Sequence, residues 1–219
     1  MYRLFDDRRE AGRALVPEVR RCDLSDPLIL GLPRGGVPVA YEIAIALNAP
    51  LDVLLVRKLG APFQPELAVG AIASGGIRVL NEDLVNRVLG LDDDTLEEIV
   101  ARETQELERR EKEYRGDRSF PDLTGRNVVL VDDGLATGAT MRAAAASVRA
   151  QKPSELLVAV PTASKSAVRS VAPLVDQVIS LQMPADFQAV GQFYRNFGQT
   201  TDEEVRDLLD KARASTSVP

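Results

Sequence analysis

Short runs of consecutive apolar residues alternate with helix-like stretches along this chain, and this order limits the possible folds more than any other feature. Unbroken apolar runs are typical of strands that are covered on both faces. The runs cover residues 28–32, 53–56, 67–72, 128–131, 156–160 and 175–181. The helix-like stretches cover residues 37–47, 140–150 and 165–172. The alternation predicts an α/β fold with a mainly parallel central sheet flanked by helices.

The segment 92–115 interrupts this alternation. It begins with acidic residues that can cap a helix, carries a narrow apolar stripe, and places Glu106 four residues before Arg110, an order that supports a solvated helix. We therefore expect a surface or subunit-contact helix within an inserted segment, 82–116. A capping sequence from Thr201 to Glu204 predicts a last helix over 202–214. The chain is thus expected to divide into a core, 1–183, and a small C-terminal unit, 184–219.

The composition excludes several kinds of catalytic site. The chain has no histidine and one cysteine, Cys22, so serine–histidine triads, Cys/His zinc clusters and disulfide frameworks are ruled out. A net charge of -6 argues against a broad nucleic-acid surface, and no apolar stretch is long enough to span a bilayer. The charged N-terminus does not resemble a signal peptide, so we expect a cytoplasmic protein without membrane or nucleic-acid partners. Its chemistry must use carboxylates, cations, backbone amides or a metal held by oxygen atoms.

The segment 128–140 combines a buried strand, two adjacent acids, a turn of small residues and a helix start. Ligands bind at this end of a strand in open parallel sheets. Backbone N–H groups of the small-residue turn can close on a phosphate at the positive end of the helix, and Thr137 and Thr140 add hydroxyl donors. Asp132 and Asp133 can accept hydrogen bonds from vicinal sugar hydroxyls, or they can face a metal. A P-loop lysine is absent, and the acids are adjacent rather than spaced Asp-x-Asp.

Residues 129–140 resemble the phosphoribosyl-diphosphate (PRPP) signature of type I phosphoribosyltransferases. The resemblance implies that fold, with a small C-terminal hood and a tail helix over 184–219. It also implies that Asp132 and Asp133 are catalytic, bind the ribose hydroxyls and stabilise an oxocarbenium-like centre, with Mg2+ as a direct or water-mediated partner. The residues that would hold the 5'-phosphate are Ala136, Thr137, Gly138, Ala139 and Thr140.

Two further stretches resemble the parts of this family that bind pyrophosphate. Residues 32–36 resemble its pyrophosphate loop, in which Arg34, Gly35 and Gly36 would contact the anion, and a non-proline cis peptide is expected at Pro33–Arg34. Arg57 and Lys58 resemble an Arg-Lys pair from which one cation reaches the diphosphate. Residues 60–66 look like a short form of the loop that closes over PRPP.

The acceptor side is less defined by the sequence. Residues 184–191 and the following Tyr194 loosely resemble the hood of hypoxanthine-guanine phosphoribosyltransferases, so Phe187 and Tyr194 are candidates for stacking on a base. Ala136, Pro161–Thr162 and Asn196 depart from the oxopurine pattern. Gly134 replaces an aliphatic residue that usually flanks the base, which predicts extra room there.

The leading hypothesis is therefore a Mg2+-dependent transferase that moves the 5-phosphoribosyl group from PRPP to a nitrogenous acceptor, preferably a nucleobase, and releases pyrophosphate. The alternative from another class is a PRPP- or nucleotide-sensing regulator that keeps the fold without transfer. A third reading is a Mg2+ phosphohydrolase of sugar phosphates, against which the spacing of the acids argues. The expected partners are small molecules, and a homodimer is common in the family.

Overall fold

A computed structural model describes residues 2–62, 64–81, 85 and 92–216. The helices are α1 (Arg8–Arg20), α2 (Gly36–Leu47), α3 (Asp93–Arg115), α4 (Ala139–Ala150), α5 (Lys165–Val171) and α6 (Asp202–Thr216). The strands are β1 (Pro27–Gly31), β2 (Leu51–Val53), β3 (Val56–Ala61), β4 (Gln64–Ala73), β5 (Ile77–Leu80), β6 (Asn127–Val131), β7 (Glu155–Thr162) and β8 (Gln177–Gln182). Among the described helices, none has the length and apolar content needed to cross a bilayer.

The central sheet has five parallel strands in the order β2-β1-β6-β7-β8, which confirms the predicted fold class. Alternate residues of its strands enter two separate apolar clusters. Val129 and Val131 pack with α1, α2 and α6 on one face, whereas Val128 and Leu130 pack with α4 and α5 on the other. Burial on both faces explains why these strands are continuous apolar runs in the sequence.

The prediction of one strand over residues 53–56 is wrong, because the run is divided between two strands. β2 ends at Val53 in the central sheet, and β3 begins at Val56 in a second, antiparallel sheet of order β3-β4-β5. Leu54 and Leu55 connect the two and are both buried, so the apolar run continues through a change of sheet. The predicted strand 67–72 lies within β4, and β5 was not predicted. The predicted closing loop, 60–66, falls on the β3–β4 hairpin; residue 63 lies outside the described residues, so closure stays a prediction.

Helix α3 agrees with the predicted bounds but is not solvated all round. Its inner side packs against β3, β4 and α6 through buried Leu96, Ile99, Leu107 and Tyr114. At its end, Arg115 is 3% exposed. The Arg115 guanidinium forms ion pairs of 2.9 Å with Asp52 and 2.8 Å with Glu111. The helix is thus part of the core, and a subunit contact on its outer side stays a prediction. Of the rest of the predicted insertion, residues 82–84 and 86–91 lie outside the described residues.

Helix α1 was not predicted, and the residues just before it contact the segment 193–195. Its N-cap, Asp7, accepts a hydrogen bond of 2.8 Å from the Glu10 amide. Just before it, the Phe5 amide donates to the Phe193 carbonyl at 2.9 Å, and the Arg195 amide donates to the Phe5 carbonyl at 2.8 Å. The C-terminal segment is therefore held against residues near the N-terminus. Helix α6 packs instead on α2 and α3, beside the central sheet.

Candidate active site

Asp132 and Asp133 lie directly beyond β6, at the carboxyl end of the central sheet. The Asp133 amide donates a hydrogen bond of 2.8 Å to Oδ1 of Asp132. Burial raises the pKa of both carboxyl groups, and the charge of Asp133 raises the pKa of Asp132 further. Two half-buried acids whose charges repel each other favour the binding of a hydroxyl donor or a cation near them. The predicted pair is therefore suited to a sugar or to a metal.

The turn after the acids leads into the N-terminus of α4. Gly138 has a φ of 78° and approaches Ser170, where an added Cβ would lie 2.9 Å from the hydroxyl oxygen, so both conformation and space favour glycine. The N-cap residue, Gly138, has no side chain to cap α4, and the Ala139 amide makes only a long bond of 3.4 Å to the Thr137 hydroxyl. The amides that follow in the first turn are therefore available to an anion. The hydroxyl of Ser164 supports the turn by donating to the Ala136 carbonyl at 2.6 Å. The predicted phosphate residues 136–140 thus form one continuous segment, a turn that runs into the first two residues of α4.

The loop between β1 and α2 faces this turn because β1 and β6 are neighbours in the sheet, with Gly31 opposite Val131. The peptide bond Pro33–Arg34 is cis, as predicted. A Cβ added to Gly35 would lie 2.1 Å from Oδ2 of Asp133, and one added to Gly36 would lie 2.5 Å from the Val131 carbonyl oxygen. The two glycines therefore allow the predicted pyrophosphate loop to touch the acid pair.

Arg34 points from this loop towards α3 and α6. Its guanidinium lies 3.5 Å from the Asp202 carboxylate, and a cavity of about 380 Å³ separates it from Arg109 and Arg110. Glu106 binds both of those arginines, at 2.8 Å and 2.9 Å. The predicted cation thus shares its surroundings with two arginines of α3 that the sequence analysis did not assign to the site.

Arg57 and Lys58 line a larger cavity, of about 630 Å³, between β3 and α3. Thr140 of the phosphate turn lines the same cavity, so these predicted residues are brought together. Glu103 of α3 accepts a hydrogen bond of 2.7 Å from Arg57 Nε and thereby orients that guanidinium. Sequence reasoning missed Glu103, because a carboxylate on a charged helix gives no sign of its distant partner.

The predicted stacking residues differ in their surroundings. Phe187 is half-buried against Phe193, with ring centroids 5.0 Å apart. Tyr194 is 6% exposed, and its hydroxyl donates to the Asp133 carbonyl at 2.6 Å. A stacking role stays a prediction for both. The extra room predicted at Gly134 is wrong, because the side chain of Val190 fills it and would lie 2.5 Å from an added Cβ.

Arg8, the first residue of α1, is a site residue that the sequence analysis missed. Its Nε donates to Oδ2 of Asp133 at 2.8 Å, and its charge opposes the rise in the Asp133 pKa that burial causes. The other end of the guanidinium reaches Gly198, and its face lies over the ring of Phe197. The apolar positions Ala11, Leu15 and Val19 recur every four residues and could have revealed the helix, but not the partner of Arg8.

Comparison with known proteins identifies the family. Residues 8–196 match the phosphoribosyl transferase domain. The chain belongs to that family. A crystal structure of the protein TT1426 from Thermus thermophilus is 45% identical, with a TM-score of 0.86 over 95% of this chain and 98% of that one. The two proteins therefore share one fold over nearly their whole length.

Other relatives set limits on what the family match implies. A Mycobacterium tuberculosis protein, "Putative phosphoribosyl transferase Rv0571c", is 50% identical over 210 residues. That alignment spans 96% of this chain but only 47% of the relative, so the chain covers about half the length of the curated relatives it matches. A Neisseria gonorrhoeae protein crystallised with bound ppGpp has a TM-score of 0.52 at 16% identity, which is a likeness of fold alone.

Proposed function

We propose that this protein transfers the 5-phosphoribosyl group of PRPP to a nitrogenous acceptor, a nucleobase in the leading case, and releases pyrophosphate. One observation carries the proposal: the acid pair Asp132 and Asp133 lies between an uncapped helix start and a glycine loop in direct contact with it. Both loops present features that bind anions, and the acids present features that bind hydroxyl groups. PRPP carries a phosphate at one end of its ribose and a diphosphate at the other. Its groups therefore match the order of an anion-binding loop, hydroxyl-binding acids and a second anion-binding loop.

In the proposed reaction, the phosphate turn 136–140 binds the 5'-phosphate, and Asp132 and Asp133 accept hydrogen bonds from the ribose hydroxyls. Breaking the bond between ribose and diphosphate leaves positive charge on the sugar. Nearby carboxylates that are already oriented stabilise such a charge without reorganising. Arg34, Gly35 and Gly36 receive the departing diphosphate, and Arg57 and Lys58, which line a cavity with Thr140, add positive charge.

Mg2+ is the proposed cofactor, and the residues present fit it. In enzymes that bind nucleotides or diphosphates, this ion is commonly held by one or two carboxylates together with substrate oxygens. The described residues contain no group of three or more metal-binding side chains, so PRPP would supply most of the ligands beside Asp132 and Asp133. When bound, the ion would neutralise part of the charge on the diphosphate.

The deciding experiment measures pyrophosphate release from PRPP and Mg2+ with adenine, hypoxanthine, guanine, xanthine, uracil, orotate and nicotinate in turn. Release that depends on one base supports transfer and names the acceptor. PRPP binding without release for the whole panel would overturn the proposal in favour of a regulator, and phosphate release without any base would overturn it in favour of a phosphohydrolase. Because the Mycobacterium tuberculosis relatives are about twice as long, the chain should be tested as it stands and within any longer protein that contains it.

A further inference from the structure

The guanidinium of Arg8 joins three groups that are far apart in the sequence. Nε lies 2.8 Å from Oδ2 of Asp133, and the side chains of this pair are only 13% and 14% exposed. Another of its nitrogens lies 2.7 Å from the Gly198 carbonyl, and the group sits 4.0 Å above the ring of Phe197. The Arg8 guanidinium thus contacts both the predicted catalytic residue Asp133 and the C-terminal residues Phe197 and Gly198.

This geometry restrains the Asp133 carboxylate from several directions. Arg8 covers Oδ2 on one side, and the backbone of Gly35 approaches the same oxygen closely. The Tyr194 hydroxyl binds the main-chain carbonyl of the same residue. Arginine holds its donors in a rigid, planar fork, so binding Asp133 and Gly198 at once also fixes the separation of the two.

We propose that Arg8 is a positioning residue that orients Asp133 for the ribose and couples it to the segment 194–198. The inference rests on the proposed function, because it gives Asp133 a role towards the donor sugar. Arg8 acts through Asp133 rather than on substrate. Removing one member of a largely buried ion pair leaves the other charge without compensation, so the carboxylate is expected to move.

The test compares Arg8→Gln and Arg8→Lys with a matched control, Arg9→Gln. Arg9 is the next residue of α1 and forms an ion pair of 2.5 Å with Glu42, away from the acids. We expect Arg8→Gln to lower kcat for pyrophosphate release by about 10- to 100-fold, with KM for PRPP changed by less than about threefold. Arg8→Lys should recover part of kcat, because it keeps the charge but not the fork. Arg9→Gln should match the wild type.

A second measurement is independent of turnover. The amides of Arg195 and Asn196 donate to the carbonyls of Phe5 and Asp6, so they report on the contact between the chain ends. We expect Arg8→Gln, and not Arg9→Gln, to raise hydrogen exchange at these amides by about tenfold or more.

Several results would overturn the proposal. One is an unchanged kcat in Arg8→Gln, another is a rise in KM alone, and a third is unchanged exchange at 195–196. Should Arg8→Gln fail to fold, the same comparison between Arg8→Lys and Arg9→Lys decides. If the wild type releases no pyrophosphate with any base, the proposed function fails, whereas the exchange comparison still tests the link made by Arg8.

Discussion

The proposed donor side and the C-terminal side of the candidate site are built in different ways. The donor side consists of two continuous loops, 32–36 and 132–140, that follow neighbouring strands of one sheet. The C-terminal side is assembled from the two ends of the chain, since Arg8 contacts Gly198 across 190 positions. The two sides are in contact at the acid pair, because Arg8 donates a hydrogen bond to Asp133.

Because of this difference, substitutions on the two sides should have different effects on turnover. A loop that follows a buried strand inherits its position from the sheet, so a substitution there disturbs the site directly and locally. A segment held by a few contacts between chain ends can shift as a unit while the sheet stays intact. We therefore expect donor-side substitutions to affect turnover strongly and C-terminal substitutions to affect it weakly, except where they remove a contact with the carboxylate of Asp133.

The largest effect should come from changing both acids, in the double variant Asp132→Asn with Asp133→Asn. Asparagine keeps the size of each side chain but removes the negative charge that faces the ribose, so pyrophosphate release should fall by at least about 1,000-fold. The assay uses PRPP, Mg2+ and the base identified in the panel. Asp210→Asn is the matched control, because Asp210 is exposed and pairs with Arg213 on the same helix, α6. Turnover equal to that of the control would remove the role proposed for the pair.

The next largest effect is expected for Gly35→Ala. Gly35 has φ -63° and ψ -31°, which alanine adopts without strain, so the substitution tests space rather than backbone conformation. The new Cβ would lie 2.1 Å from Oδ2 of Asp133, so the carboxylate must shift. Misplacement of about 1 Å can cost about 100-fold in rate, and we expect a loss of that order in kcat. Circular dichroism should show an intact fold; an unchanged kcat would mean that this contact is not needed for turnover.

These two regions also differ in how well the sequence predicted them. The acid pair and the turn 136–140 lie where the sequence placed them, because strand, turn and helix start are local features. The cis bond at Pro33–Arg34 was expected only from the family resemblance, and it is present. The contact between the loops follows from the pairing of neighbouring strands. The sequence therefore predicted the fold class and the places of these two loops, whereas their role towards PRPP stays a prediction.

The errors and omissions concern contacts between distant residues. The run 53–56 was predicted as one strand, because burial of Leu54 and Leu55 does not indicate that the chain changes sheets between them. Val190 fills the space at Gly134 from more than 50 positions away, and Glu103 reaches Arg57 from another element. Arg8 was missed for the same reason. None of these pairs leaves a local pattern of spacing that could be recognised in a single sequence.

A smaller donor-side effect is expected for Arg34→Gln. Arg34 is about one third exposed and only 3.5 Å from Asp202, so its loss should cost little stability. Removing a fork of charged donors from the diphosphate should raise KM for PRPP by about tenfold, with kcat changed by less than about threefold. Arg213→Gln, near the end of α6, serves as the control. A fall in kcat without a change in KM would indicate that Arg34 stabilises the transition state rather than contributing to the binding of PRPP.

The smallest effect is expected for Tyr194→Phe, on the C-terminal side. The substitution keeps the ring that packs beside Phe5 and Phe197 and removes only the hydroxyl that donates to the Asp133 carbonyl. Losing one buried hydrogen bond should lower the free energy of unfolding by about 1 kcal/mol, measured by denaturant titration. Turnover should fall by no more than about threefold, because Arg8 and Gly35 still hold the carboxylate of Asp133 in place. Tyr41→Phe on α2 is the control. A loss as large as that of Gly35→Ala would break the contrast between the two sides, since it would show that the C-terminal segment orients the acid as strictly as the donor loops do.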